Sequence, residues 1–422
     1  MKHPAWSYNA VLYEMNVRQL TAEGTLAAAT EQLARLAELG INCIWLMPVY
    51  PIGRLNRKGS LGSYYSIADY CDINPEFGTF EDFDHFVATA HSLGMKVILD
   101  WVANHTSRDA KWLTDKPLDW YQRTDDGSPA VPWDWSDTAQ LSVDNHQVWQ
   151  GHIDAMKFWI TEHNIDGFRC DMAMLLPIEF WQVVRFNLSQ IKADIFLLAE
   201  AEEDNIFQNA FNACYGWQLH HAMCAVAQGK TRVHQLRERI YSDMRRFPKW
   251  SMRMTFTSNH DENSWSGSEF TRFGAALEPF SALTFLVPNA LPLIYTGQEF
   301  GYDHSFAFFD KDPLPAMASN SYTEHYKQLC ALYHNHPALQ HGSFIEINNN
   351  APDCLMTFVR ENDGDRVVVI ANLSPYTVFA DFHTGIYAGQ YLNALTGKPT
   401  TLYEHMWGDI APWGYKVLTL SM

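Results

Sequence analysis

The sequence predicts an α/β protein: a closed (β/α)8 TIM barrel, a small subdomain inserted after its third strand, and a C-terminal antiparallel β-sandwich domain. Three observations carry this. Between about residues 10 and 330, apolar β-type runs alternate with amphipathic helical patterns, and about eight alternations on that scale close into a barrel more readily than they open into a doubly wound sheet. One connection, after Trp101, runs for over about 40 residues, too long for a structureless loop in a compact domain. From His336 onward, short β runs are separated by turn residues instead of helices. The expected boundaries are 1–101 and 147–335 for the barrel, 102–146 for the insertion and 336–422 for the β domain. No GxGxxG or GxxxxGK[ST] loop follows any strand, which removes the commonest open-sheet alternatives.

Taken in order, the first strands are Val11-Leu12-Tyr13-Glu14-Met15 and Cys43-Ile44-Trp45-Leu46-Met47-Pro48. Between them, Thr25 to Leu39 has helical spacing and stops at Gly40. A second helix follows Gly78-Thr79, with Phe83, Phe86, Val87 and Ala90 at i, i+3, i+4 and i+7. Lys96-Val97-Ile98-Leu99-Asp100 is nearly continuous in apolar character, as suits a parallel strand covered on both faces. The remaining strands are expected at Gly167 to Asp171, Phe196 to Glu200, Cys214-Tyr215-Gly216, Met252 to Ser258 and Leu293 to Thr296. In the last domain, Leu355 to Arg360 and Arg366 to Asn372 flank the turn Asn362-Asp363-Gly364-Asp365.

Composition narrows the function. The 422 residues carry 48 acids against 30 Lys plus Arg, a formal charge of −18, which excludes nucleic acid as the main partner. No stretch reaches the roughly 18 apolar residues of a membrane span. Met1-Lys2-His3-Pro4-Ala5-Trp6 lacks the pattern of a secretory leader. The seven scattered cysteines, without a CxxC pair, read as free buried thiols. A cytoplasmic location is expected, or a periplasmic or secreted one if a leader has been removed. With 25 Phe, 19 Tyr and 15 Trp, the chain has rings enough for a core and for ligand platforms. Oligomeric state is left open.

Barrel sites lie at the C-terminal ends of strands, and the residues there are charged. They are Asp100 with Asn104-His105, then Arg169 and Asp171 on one face of a strand, then Glu200, then Asn259-His260-Asp261. A single acid at a strand end is usually a helix cap or a solvated carboxylate. Several of them, with an Arg and two His, would converge if the barrel closes. A metal site is the first rival, but Arg169 beside Asp171 argues against a metal as the main charge and would hold Asp171 ionised. The carboxylates suit glycoside hydrolysis with Asp171 as nucleophile and Glu200 as general acid, about 5–5.5 Å apart in retaining enzymes. Glu200 follows the apolar Leu197-Leu198-Ala199, a setting that suits a proton donor.

At these residues the sequence resembles the α-amylase family of glycoside hydrolases (family 13). Its four motifs are matched in order by Asp100-Trp-Val-Ala-Asn104-His105, Gly167-Phe168-Arg169-Cys170-Asp171, Leu198-Ala199-Glu200 and Asn259-His260-Asp261. Ser63 to Tyr70, followed by Pro75 to Thr79, looks like the family's substrate-proximal tyrosine segment, and Gln140 to Asn145 is a weak version of its inserted-domain motif. The resemblance implies Asp171 as nucleophile, Glu200 as acid/base and Asp261 as the third carboxylate. It implies substrate binding by Tyr65, Asp100, His105, Arg169 and His260, with Tyr65 stacking on the sugar and Arg169 also orienting Asp171.

Two departures stand out. The Lys-His pair that follows the nucleophile in typical starch-degrading amylases is replaced by Met172-Ala173-Met174-Leu175-Leu176-Pro177. Asn104 matches a calcium ligand of many members, but the insertion offers only ambiguous partners, and Ile52 to Gly62 carries Arg54, Arg57 and Lys58 where some relatives have an acidic calcium loop. No cofactor is required by the chemistry, and Asn104 is the one calcium candidate. Trp133, Trp135 and Trp265, in polar loops, are candidate sugar platforms, whereas Trp45, Trp159 and Trp413 are expected to pack. The expected function is a retaining α-glycosidase acting on α-1,4-glucan or maltooligosaccharides. The alternatives are a 4-α-glucanotransferase using the same residues and a non-catalytic glucan-binding protein.

Overall fold

The computed structural model describes residues 3–420, so Met1 and Lys2 of the N-terminal segment considered above lie outside the described residues. In chain order the strands are β1 (Leu12–Met15), β2 (Cys43–Leu46), β3 (Lys96–Val102), a short pair β4 (His105–Ser107) and β5 (Thr138–Gln140), then β6 (Gly167–Asp171), β7 (Phe196–Ala199), β8 (Ala213–Tyr215), β9 (Met252–Thr255) and β10 (Ala290–Tyr295). Eight of them close a parallel barrel in the order β1-β10-β9-β8-β7-β6-β3-β2. Strand pairing is in places very close: a Cβ on Gly167 would meet the Phe196 carbonyl oxygen at 2.2 Å, so glycine is required where β6 starts.

The period of two divides each strand between two cores. Leu12, Trp45, Ile98, Phe196, Leu198, Tyr215, Met254 and Leu293 fill the barrel interior. Their neighbours Tyr13, Ile44, Val97, Leu99, Phe168 and Leu197 pack outward against the helices. Truncating one such buried leucine to alanine costs about 2–5 kcal/mol. The same alternation decides the site. Two residues beyond Leu12, Ile98 and Leu198, on the interior face, stand Glu14, Asp100 and Glu200, and Arg169 and Asp171 share one face of β6. The interior is therefore apolar below and charged at its C-terminal end.

Several elements differ from expectation. The helix expected from Thr25 to Leu39 is two helices, Leu26–Thr30 and Leu33–Leu39. Thr30 donates its hydroxyl to the Leu26 carbonyl at 2.8 Å, a back-bond that bends helices. The run Met252 to Ser258 is a strand only to Thr255, and β10 begins at Ala290, before the expected Leu293. The helix Phe80–Ser92 forms as expected, behind a Thr79/Asp82 capping box. Of the cysteines, Cys43, Cys170, Cys214 and Cys330 are buried, but Cys71 is exposed and Cys224 and Cys354 are half-buried. Burial of all seven thus does not hold, because Cys71 sits in an irregular surface loop.

Within the insertion, β4 and β5 pair antiparallel, and Trp120, Tyr121, Ala139 and Leu141 form a small core of their own with Val148. After a last short helix, Pro337–His341, the C-terminal domain runs through β11 (Ser343–Glu346), β12 (Leu355–Asn362), β13 (Asp365–Asn372), β14 (Val378–His383), β15 (Gly389–Asn393), β16 (Pro399–Leu402), β17 (His405–Ile410) and β18 (Tyr415–Leu420). A six-stranded sheet, β11-β12-β13-β18-β15-β16, and the pair β14-β17 share a core that includes Leu355, Val359, Ile370, Ala380 and Phe382. Asn362 pairs with Asp365, and Asp363 and Gly364 both have positive φ (47° and 90°), as a two-residue hairpin turn demands. Phe344, Phe358, Val367 and Val417, on the sheet's other face, join the barrel's outer core.

Candidate active site

Arg169 organises the charged end of the barrel. Fully buried, it donates from Nη1 to both oxygens of Asp100 (2.9 and 3.1 Å) and to Asp171 Oδ1 (3.0 Å), and from Nε to the Tyr215 hydroxyl (3.0 Å). Its Nη2 lies 2.8 Å from Glu200 Oε2, an ion pair by distance whose N–H directions miss the oxygen. Trp45, Tyr65 and Tyr215 present their rings to the guanidinium at 5.0, 5.8 and 5.4 Å. One cation thus touches three carboxylates from three adjacent strands.

Glu200 is further fixed by the chain after β6. Met172 adopts a left-handed conformation (φ 42°), which turns its backbone N–H onto Glu200 Oε2 at 2.8 Å. The Ala173 N–H donates to the Glu200 carbonyl at 3.0 Å. Asp171 and Glu200 are each held through a single oxygen. Among the described residues, Asp171 Oδ2 and Glu200 Oε1 accept no hydrogen bond, and both residues line the cleft above.

On the facing strands, Asn259 caps the short helix His260–Trp265 by accepting the Glu262 N–H at 2.8 Å. His260 donates Nδ1–H to Glu14 Oε1 (2.5 Å) and its backbone N–H to Glu14 Oε2 (3.2 Å). Its Nε2 lies 2.7 Å from the Tyr65 hydroxyl and 3.3 Å from Asp261 Oδ2. The Tyr65 hydroxyl also donates to Asp100 Oδ2 at 3.1 Å.

Five carboxylates (Glu14, Asp100, Asp171, Glu200, Asp261) therefore gather about two cations, and proton affinities follow. Burial, then the charge of Glu200, lifts the Asp171 carboxyl well above its ordinary range against the pull of Arg169. The expected contact from Arg169, which favours an ionised Asp171, is present, and burial and the charge of Glu200 act against it. Burial also raises Asp100 and Asp261, opposed by Arg169 and by His260 respectively. For His260, burial opposes the charge, but Asp261 and Glu14 override it and lift the ring to about 9. His105 goes the other way, pushed down to about 4 by burial, and is neutral.

The cleft, about 380 Å³, brings together Tyr65, His105, Asp171, Glu200, His260, Asp261, Trp135 and Trp265. Three expected substrate contacts are not there. Asp100 and Arg169 are wholly buried beneath the floor, so they can orient the residues above but cannot touch a ligand. Trp133 is exposed and does not line the cleft; it leans on Trp135, with ring centroids 4.7 Å apart at 55°. Trp45 and Trp159 are buried, and Trp413 packs half-buried against the core. Motif reading missed Glu14, whose only signal is an acid inside an apolar strand. It also missed the cleft-lining Asp134, Asp137, Lys58, Phe308 and Phe309.

The surroundings of Asn104 do not fit calcium. Its side-chain oxygen and its carbonyl both accept from Gln140 Nε2, at 3.0 and 2.9 Å, so an uncharged amide stands where a cation would. Among the described residues no cluster of three or more His, Cys, Asp or Glu is arranged to hold a metal. Likewise, no helix among them is long and apolar enough to cross a membrane.

The family model of the α-amylase catalytic domain matches residues 9–138 and 131–327, and that of the α-amylase C-terminal all-β domain matches residues 346–408. An α-amylase of Haloarcula japonica is 27% identical over 416 residues, 89% of this chain and 57% of that protein. An α-1,4-glucan:maltose-1-phosphate maltosyltransferase of Arcanobacterium haemolyticum is 28% identical over 402 residues, 85% of this chain and again 57% of the relative. The chain thus spans a little over half the length of these curated relatives. Among solved structures, a noncanonic maltogenic α-amylase from Thermotoga neapolitana superposes with a TM-score of 0.89 at 25% identity, covering 98% of this chain and 99% of that one.

Proposed function

The chain belongs to the α-amylase family, and from that premise we propose that it is a retaining α-glycosidase that hydrolyses α-1,4-glucosidic bonds in starch-type glucans or maltooligosaccharides. The observation that carries this reading is the pair Asp171 and Glu200, each tethered to Arg169 through one oxygen and free to react through the other. Both carboxylates are drawn to the terminal nitrogens of one guanidinium, and a nucleophile and an acid gathered in this way support double displacement.

Asp171 Oδ2 attacks the anomeric carbon while Glu200 protonates the departing glycosidic oxygen. The bond to the leaving sugar breaks as the bond to Asp171 forms. Glu200, now ionised, takes a proton from water, and the resulting attack releases Asp171. Asp261 and His260 hold hydroxyls of the bound sugar, Tyr65 and Trp135 offer ring faces, and Arg169 and Asp100 keep the reacting pair in place from below. No step passes through a metal.

A 4-α-glucanotransferase is the second reading, favoured by the maltosyltransferase relative at an identity like that of the amylase. Incubation with maltotriose separates the two. Glucose and maltose alone are expected for hydrolysis, whereas maltotetraose and longer products early in the reaction assign transfer.

A further inference from the structure

Glu14 is the carboxylate of the cluster for which the proposed reaction has no use. It lies on β1, wholly buried, and does not line the cleft, so it cannot reach a sugar. Yet it grips His260 twice, through Nδ1–H and through the backbone N–H at the start of the helix that carries Asp261. Burial raises the proton affinity of Glu14 while the charge of His260 opposes that, and as a carboxylate Glu14 accepts Nδ1–H from the ring. What His260 offers the cleft then depends on Nε2 alone.

Nε2 faces the Tyr65 hydroxyl and Asp261. With a proton on Nε2, the bonds run one way: His260 donates to the Tyr65 oxygen, and Tyr65 donates to Asp100. Without it, the Tyr65 proton must turn back to His260, Asp100 loses a donor, and Asp261 faces a lone pair. We propose that Glu14 is a positioning residue: its double contact holds His260 with Nε2 as a donor toward Tyr65 and Asp261, which presets the sugar-binding wall.

The other groups facing the ring set the balance. Asp261 on its own helix and Asp100 on β3 favour the protonated ring, as Glu14 does, while Arg169 on β6 opposes it. Trp45 on β2 meets it edge-on at 5.8 Å, and Tyr65 lies nearly parallel at 5.3 Å. The elevated proton affinity of His260 agrees with this balance. Glu14 is therefore one of three carboxylates acting on the ring, and the one bound directly to Nδ1.

The effect on turnover rests on the glycosidase reading, whereas the state of the ring does not, so the test has two arms. In the first, 15N-histidine-labelled protein is titrated by NMR, with the His260 signal assigned by its loss in His260→Gln. Both ring nitrogens are expected to carry protons at pH 7 in the wild type, and in Glu14→Gln the midpoint should fall by one pH unit or more, about a tenfold change in proton affinity. In the second arm, kcat and KM for maltotriose are followed against pH. The alkaline limb of kcat should move down by the same interval in Glu14→Gln, with activity near pH 6 retained. A neutral His260 in the wild type, or an unchanged titration and profile in the variant, overturns the proposal. Should the variant not fold, Glu14→Asp, which keeps the charge but draws it back from Nδ1, is titrated in its place, and an unchanged midpoint there overturns the proposal. Should the protein not cleave glucans, the NMR arm decides alone and the failure belongs to the functional reading.

Discussion

Arg169 and Arg360 are both fully buried, and their surroundings are opposite in kind. Arg169 meets Asp100, Asp171 and Glu200, and the charges of Asp100 and Glu200, working against burial, raise its proton affinity well above normal. Arg360, on β12, meets only dipoles: it donates to the carbonyls of Leu286, Val287, Leu339, Gly342 and Ser343, and burial lowers its proton affinity. Those carbonyls end a barrel helix and begin the β domain, so Arg360 stitches the two domains together. A buried guanidinium costs much the same desolvation in either place. At the junction five neutral acceptors offset it, and nothing reactive results. Under the cleft the offset comes from carboxylates whose free oxygens remain available, so stabilisation and chemistry share one set of atoms.

If that distinction is right, the two regions should fail differently. The largest effect is expected at the acid. Glu200→Gln should lower kcat on maltoheptaose by about 10²–10⁴-fold with thermal unfolding little changed. Its kcat/KM for α-glucosyl fluoride, which reports the first step with a leaving group that needs no proton, should fall far less. Equal losses on both substrates would remove Glu200 from that role. Next come the arginines, compared by denaturant unfolding and by kcat. Arg169→Met leaves three buried carboxylates without their cation and should cost about 3–5 kcal/mol together with nearly all turnover. Arg360→Met leaves five carbonyls without a donor and should cost about 3 kcal/mol, with kcat of the folded fraction within about twofold. A folded Arg360→Met protein without activity would erase the contrast.

Smaller effects sharpen the outline of the cleft. Trp135→Ala should raise KM for maltoheptaose about five- to tenfold, the loss of a ring contact of about 1–1.5 kcal/mol, whereas Trp133→Ala should change it by less than about twofold. The reverse order would mean that the exposed ring closes over bound sugar. The last expectation is a pH effect on stability. His260 is raised from 6.5 to about 9 in the folded protein. Its contribution is therefore complete below pH 6.5 and lost as pH rises through 9. Unfolding temperatures measured across that window should decline in the wild type and flatten in His260→Gln.

Much of the fold was legible because it is written in local periodicity. Gly167 to Asp171 was found to the residue, since its alternation is unbroken and its glycine marks a close approach. Where tertiary contacts override propensity, reading faltered. Pro292 marks a break by propensity, yet it is carried within β10 by pairing opposite Thr255. The helix after Thr25 divides through a side-chain bond that no pattern of apolar residues reveals. In the site, the strand-end acids were visible as charges closing apolar runs, but depth was not. Asp100 and Asp171 read alike in sequence, and one is buried under the floor while the other lines the cleft. Trp133 and Trp135 differ likewise: the positive φ of Trp133 (47°) belongs to a turn that sends one ring outward and leaves the other in the cleft.

By itself the sequence determined the alternation of strands and helices, the change to a β domain, and the charged residues that end the barrel strands, because these depend on periods of two and 3.6 residues along the chain. Tertiary structure alone decided which charges meet. Glu14 and His260 stand 246 positions apart in the chain, and they touch because closure of the barrel brings β1 and β9 to either side of β10. Hydrogen bonds and ion pairs act over a few ångströms, so proton affinities, and with them the roles of acid, nucleophile and support, exist only once the ring of strands is closed.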